Sequence, residues 1–244
     1  CWYTKKTGRI CYFNSSGKRV HGKWKKIDGN YYYFNDSGYL ATSQWVGDYY
    51  VDENGLRMTN CVVDGYTLDA SGKKTAFTGK YIFVGDCRTV GMSYAISKSN
   101  TYFIGEVSMG LIRLKTVASV ELASYLSVYP NAKVILGYGL NDLYQLDNYI
   151  SYYKTLISKY PKAQFYILSI NPINETLASK NGYTVKTSQI KAFNQAMQEA
   201  FPDNYLDTYT WLEQNGFSAS DGIHYVSSTY VKLYDYIISV IGYN

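Results

Sequence analysis

The sequence predicts two unlike folds in succession: an array of β-hairpins over residues 1–79, then an α/β sandwich with a parallel sheet over residues 80–244. Three observations lead there. An aromatic unit recurs along the first third and closes each time on a glycine. Past Lys80, short apolar runs alternate with helix-length stretches. The aromatic content, with 29 Tyr in the chain, is densest before that boundary. Repetition at such a period marks a stacked array, whereas apolar strands alternating with helices mark a parallel sheet covered on both faces.

The fullest repeat is Trp24-Lys25-Lys26-Ile27-Asp28-Gly29-Asn30-Tyr31-Tyr32-Tyr33-Phe34-Asn35-Asp36-Ser37-Gly38. Trp45 to Gly55 is a shorter copy. An earlier one runs from Trp2 through Tyr12 and Phe13 to Gly17, and a degenerate last one runs from Val62 through Tyr66 to Ser71-Gly72. The closing glycines at 17, 38, 55 and 72 lie 21, 17 and 17 residues apart. Asp28-Gly29 is a hairpin-turn signal between aromatic strands. One hairpin cannot bury its aromatic face alone, so the units must stack. In the last copy Cys61-Val62 stands where a Trp is expected, which suits a cap or a docking edge.

From Lys80 the expected strands are 81–84, 101–107, 133–136, 164–169 and 205–208, with helices near 90–98, 111–128, 147–159, 187–201 and 227–241. Open parallel sheets bind ligands at the carboxyl ends of their strands. Cys87, Gly110 and Asn141 each follow a strand and share that edge.

Composition sets further bounds. At 244 residues, 46% of them hydrophobic, the chain can bury more than one core. No run of about 18 apolar residues is present to suggest a membrane span. Residues 1–79 hold eleven Lys/Arg against seven Asp/Glu, most of the net +5, an excess too small to argue for nucleic acid. Cys1, Cys11, Cys61 and Cys87 lack metal-ligand spacing, so neither a metal site nor a cofactor is expected. Cys1 and Cys11 can face each other across a short hairpin, which leaves a disulfide open. The sequence begins inside a repeat, so a longer parent chain is expected, and the terminus says nothing about secretion.

The pieces of a nucleophilic site are present. Val84-Gly85-Asp86-Cys87-Arg88 ends an apolar strand, and Asp221-Gly222-Ile223-His224 lies far downstream. Past residue 80, Cys87 is the sole cysteine and His224 the sole histidine. With Gly139-Leu140-Asn141-Asp142, and Gly110 in Val107-Ser108-Met109-Gly110-Leu111, the order and spacing resemble the SGNH (GDSL-type) esterase superfamily, with Cys87 in place of the usual Ser. That resemblance implies a flavodoxin-like three-layer α/β/α sandwich. It implies Cys87 as nucleophile, His224 as base and Asp221 as its orienter, with an oxyanion hole from the Cys87 and Gly110 N–H groups and the Asn141 amide. Asp86 and Asp142 read as structural, and the Arg88 side chain is expected to point into the fold or solvent. A nearby imidazolium should favour the Cys87 thiolate and speed its alkylation. The cysteine fits a natural thiol esterase, an introduced Ser-to-Cys change, or a domain that only binds.

The repeats resemble the choline-binding or glucan-binding cell-wall repeats of Gram-positive surface proteins. That likeness carries Trp24, Tyr32, Trp45 and Tyr49 over as ligand-binding positions, beside a plain packing role. Together the two resemblances imply a secreted, wall-associated carbohydrate esterase, an O-deacetylase, acting on acylated glycans while its repeats hold choline or glycan. The alternative is a non-catalytic glycan-binding or adhesion protein.

Overall fold

The computed structural model describes residues 1–77 and 79–242, with the backbone alone at Val62, Ala76 and Phe77. The chain divides into two compact units, Cys1–Thr78 and Gly79–Asn244.

The first unit is four successive hairpins. β1 (Trp2–Thr4) pairs with β2 (Ile10–Tyr12), β3 (Lys23–Ile27) with β4 (Asn30–Phe34), and β5 (Gln44–Val46) with β6 (Tyr49–Val51), all antiparallel. β7 (Cys61–Val63) and β8 (Tyr66–Leu68) gain a further strand, β9 (Lys74–Phe77), which the repeat pattern did not suggest. Asp28 and Gly29 both take positive φ, 49° and 85°, as a tight hairpin turn of right-handed twist demands. Between hairpins, Asn14, Asn35, Asp52 and Asp69 each turn the chain. Asp52 Oδ1, for example, accepts from the N–H groups of Asn54 (2.9 Å) and Leu56 (2.8 Å). Each such turn ends on a closing glycine with φ between 72° and 80°.

Those glycines have a second cause besides φ. A Cβ at Gly38 would lie 2.6 Å from Arg19 Nε, at Gly55 2.7 Å from Leu40, and at Gly72 3.3 Å from Arg57. The side chain two residues past one closing glycine therefore fills the space beneath the next. Val20, Ile27 and Phe34 form a small core, with Tyr12, Tyr32 and Leu40 packed against it.

Register decides the cysteines. Tyr3, not Cys1, stands opposite Cys11, and Cys1 faces Phe13 across the hairpin. The suggested Cys1–Cys11 disulfide is thus two residues out of register. All four cysteines are free, and Cys11 Sγ points at Tyr3 O, 3.5 Å away.

In the second unit five parallel strands lie in the order β11-β10-β12-β13-β14: β10 (Tyr81–Gly85), β11 (Thr101–Gly105), β12 (Lys133–Gly137), β13 (Gln164–Leu168) and β14 (Tyr205–Leu206). Alternate residues feed opposite faces. Ile82, Val84, Val134 and Leu136 pack with α2 (Leu111–Arg113), a π-turn over Leu114–Ala118, α3 (Ser119–Val128), α4 (Leu146–Lys159) and α6 (Thr187–Ala200). Phe83 and Thr101 meet Tyr234 of α8 (Ser227–Ile241), which covers the other face with α1 (Cys87–Ala95) and α7 (Thr208–Asn215). Lys133, fully buried, donates from Nζ to Ile241 O, placing a cation at the C-terminal end of α8. Two short helices, α5 (Glu175–Lys180) and α7, fall in stretches where no helix was expected. α7 takes Thr208 from the predicted fifth strand, because Asp207 caps it through the Thr210 N–H at 3.0 Å. Among the described residues no helix is long and apolar enough to cross a membrane.

Candidate active site and aromatic cages

Stacking sets aromatic side chains of one hairpin against those of the next. Trp2 meets its cross-strand neighbour Tyr12 (5.2 Å between ring centroids) and Tyr32 of the following hairpin (5.0 Å). Trp24 meets Tyr33 (5.4 Å) and Tyr49 (5.5 Å), and Trp45 meets Tyr50 (5.4 Å) and Tyr66 (5.8 Å). Each cage is therefore built on one Trp, its partner Tyr and a Tyr of the next unit, and the first also has Phe34 5.9 Å from Trp2 and 6.2 Å from Tyr12. Most of these contacts are edge-on, so the rings form the walls of a box. Of the four positions read from sequence, Trp24 and Tyr49 share the second cage, Tyr32 belongs to the first, and Trp45 heads the third. Asp64 Oδ2 fixes the Trp45 indole by accepting from Nε1 at 2.8 Å.

In the second unit Cys87 opens α1 directly after β10. Asp86 caps that helix, its Oδ1 accepting from Arg88 N at 3.0 Å. Asp86 is fully buried, and burial pushes its carboxyl up to about 6 despite the Arg88 N–H. Burial and the Asp86 charge push the Cys87 thiol up to about 11, against the pull of the Ser108 and Arg88 N–H groups. That direction runs against the expectation of a thiolate that alkylates fast. Ser108, in the loop after β11, adopts the left-handed region, φ 58°, rare for a residue with a side chain.

The histidine loop is tied together by Asp221. Its Oδ2 lies 2.6 Å from His224 Nδ1, and its Oδ1 accepts from the N–H groups of Ile223 (2.9 Å) and His224 (2.8 Å). Tyr183 donates its hydroxyl to Oδ2 at 3.2 Å. Burial raises the Asp221 carboxyl, but the hydrogen bonds from His224 and Ile223 outweigh it and hold the group well below the usual carboxylate range. Gly222, φ 96°, lets the loop pass against α5, since a Cβ there would lie 2.2 Å from Ala178 N.

Arg88 joins the two halves. Its buried guanidinium donates to Ile223 O (3.1 Å), Asn171 O (2.8 Å) and Pro172 O (3.3 Å). The residue after Cys87 thus clamps the residue before His224, so Arg88 points into the fold.

Gly110 and Asn141 meet in a neighbouring pair of loops. Asn141 Nδ2 donates to Met109 O at 3.0 Å, leaving its second N–H for another acceptor. Asp142 accepts from Leu111 N (2.8 Å) and from the Tyr149 hydroxyl (2.6 Å). The glycine at 110 is required by this carboxylate, since its Cβ would lie 2.2 Å from Asp142 Oδ2.

Family models described as choline-binding repeats match residues 5–45 and 39–73. The N-terminal unit carries choline-binding repeats. Over 47 residues the chain is 38% identical to a candidate endo-beta-N-acetylglucosaminidase of Streptococcus pneumoniae serotype 4, covering 19% of this chain and only 7% of that protein. The choline-binding domain of Spr1274 from Streptococcus pneumoniae is 28% identical over 30% of this chain and 92% of its own, with a TM-score of 0.28. A structure described as a candidate platelet activating factor from the same species aligns over 66% of this chain and 83% of its own, at 19% identity and a TM-score of 0.50. That last likeness is one of fold.

Within the choline-binding repeats, sequence reading missed Trp2, Tyr12, Tyr33, Tyr50 and Tyr66 as cage walls. Trp2 and Tyr66 are repeat-equivalents of residues that were named, whereas Tyr12, Tyr33 and Tyr50, each paired directly opposite a Trp, form a class of which no member was named. In the second unit it missed Arg88 as a clamp and Tyr183 as a partner of Asp221, and no local pattern announces either.

Proposed function

We propose that this chain is a wall-associated ester hydrolase: choline-binding repeats hold it on a choline-bearing or glycan polymer of the cell wall, and an SGNH-type unit removes acyl groups from a glycan. The sheet order, 2-1-3-4-5 in chain terms, is that of flavodoxin-like sandwiches, whose ligands lie at the carboxyl strand ends. Cys87, Gly110 and Asn141 all follow those ends. The single observation that carries the reading is the Asp221–His224 pair at 2.6 Å, clamped through Ile223 to the residue beside Cys87.

In this reading the Cys87 sulfur attacks the ester carbonyl as His224 takes its proton. Asp221 keeps the imidazole in one tautomer and stabilises the imidazolium. The N–H groups of Cys87 and Gly110 and the free N–H of Asn141 receive the oxyanion. Collapse expels the alcohol, which regains the proton from His224, and a water activated by the same imidazole then hydrolyses the thioester. Acetate release from an O-acetylated wall polymer, lost in His224→Ala, tests this. Equal release from both proteins defeats it.

A second reading, a binding unit without turnover, is favoured by one observation: the Cys87 thiol is pushed up to about 11, and a thiol is a better leaving group than most alcohols. Retention of acetylated glycan by the protein with no acetate released selects it.

A further inference from the structure

The three aromatic cages are not equivalent, and one position makes the difference. Backbone pairing identifies that position without ambiguity. Leu40 N donates to Ile10 O (2.8 Å), Arg57 N to Tyr31 O (2.9 Å) and Lys74 N to Asp48 O (2.7 Å). Each of these residues follows a closing glycine by two and bonds back to the preceding hairpin, so all three occupy the same place in successive units. In the second cage that place holds a guanidinium. The Arg57 carbon between its nitrogens lies 5.2 Å from the Tyr49 centroid and 5.7 Å from Trp24, two walls of that cage, and 3.9 Å from Tyr31, a ring outside the three walls. In the third cage it holds an ammonium, Lys74 Nζ at 4.6 Å from Tyr66 and 5.5 Å from Trp45. In the first cage it holds Leu40, an uncharged side chain that packs, as Tyr12 and Tyr32 do, against the small core of Val20, Ile27 and Phe34. Among the described residues no Lys or Arg lies over Trp2, Tyr12 or Tyr32.

Arg57 is committed to this location. Its Nε is buried and has no hydrogen-bond partner, and its stem packs over Gly72. Ring faces, not acceptors, surround the charge. A cation on an aromatic face is the interaction by which such a cage takes a quaternary ammonium, so a tethered guanidinium or ammonium competes for the same faces at very high effective concentration.

We infer that Arg57 and Lys74 are built-in occupants of the second and third cages, and that the array takes its quaternary ammonium ligand at Trp2, Tyr12 and Tyr32, where Leu40 leaves the ring faces to an external cation. The inference rests on the proposed choline recognition by the repeats and adds where it happens and what excludes it elsewhere.

The test is a titration of the native chain with choline chloride, followed by NMR of the indole N–H resonances, with sodium chloride at equal concentration as the control. The Trp2 resonance should shift and saturate while those of Trp24 and Trp45 hold still. Isothermal titration should give one equivalent bound. Arg57→Leu should then recruit the Trp24 resonance and raise the count to two, and adding Lys74→Leu should raise it to three. Saturable shifts of Trp24 or Trp45 in the native chain overturn the self-occupancy and leave choline recognition standing. No saturable shift at any indole, in the native chain or the variants, overturns both. The native titration decides between these results even if a variant fails to fold.

Discussion

Two buried groups beside each other set the chemistry at the strand end. Cys87 with its thiol pushed up to about 11 is almost wholly protonated at neutral pH. Against an ordinary thiol at 9.0, its thiolate fraction falls by roughly 100-fold. Iodoacetamide at pH 7.5, with modification read site by site by mass spectrometry, should therefore label exposed Cys1 long before Cys87, and the Cys87 rate should climb through pH 10. Equal labelling at pH 7.5 would show a thiolate that this burial does not allow. Asp86 makes a second prediction. Its carboxyl is raised from 3.8 to about 6, so the folded state holds a proton that the unfolded chain releases. Stability from this group is complete below about pH 4 and is lost as pH rises through 6, by roughly 3 kcal/mol. Asp86→Asn keeps the cap without the charge. Urea unfolding should show it gaining on the native chain by about that amount between pH 4 and pH 7.5. A constant difference across the range would mean that Arg88 compensates the charge fully. Cys87, Asp221 and His224 stood out in the sequence as candidates because short motifs and scarcity singled them out. Their protonation was not, because burial is a property of the packed fold.

At the scale of elements, the Arg88 clamp and the closing glycines carry the organisation. Arg88 spans 135 residues of chain to reach Ile223, a contact that no local pattern encodes. Arg88→Ala leaves three backbone carbonyls without their donor, which should cost about 3–5 kcal/mol and free the 221–224 loop. Hydrogen exchange at the Ile223 and His224 amides would report that release, and unchanged protection there would show that Asp221 alone holds the loop. In the repeats, Gly55 combines φ 78° with a Cβ position 2.7 Å from Leu40, whereas Gly8 has φ 80° and nothing within 4 Å. Gly8→Ala should cost about 1–2 kcal/mol for the left-handed backbone, and Gly55→Ala should add roughly 1–2 kcal/mol for overpacking. Equal losses in thermal unfolding would mean that Leu40 moves aside freely. The hairpins were readable from Asp28-Gly29 and the glycine spacing. The cage walls were only half readable, because each draws a Tyr from the next unit and stacking decides which one. The Cys1–Cys11 pairing failed for a related reason: a three-residue strand carries no internal signal of register.

At the scale of the whole molecule, the proposed function joins two units in one chain: aromatic boxes that suit a quaternary ammonium, and a strand-end group of Cys87, Asp221 and His224 proposed for acyl transfer. The parallel sheet was legible from its apolar strands, but its order β11-β10-β12-β13-β14 was not, because right-handed crossovers permit several orders and only the family resemblance implied this one. The short helices α5 and α7 were not, since their form depends on caps and on packing around the histidine loop. The claim that joins these parts is that the Cys87–His224–Asp221 arrangement is a working hydrolytic site whose natural limit is the thiol. The direct measurement is kcat/KM for p-nitrophenyl acetate hydrolysis by Cys87→Ser, set against Cys87→Ser/His224→Ala. The account expects the single variant to exceed the double variant by at least about 100-fold, the usual contribution of a positioned general base. Equal rates in the two variants would contradict it, because the hydroxyl would then act without the imidazole that Asp221 and Arg88 hold in place.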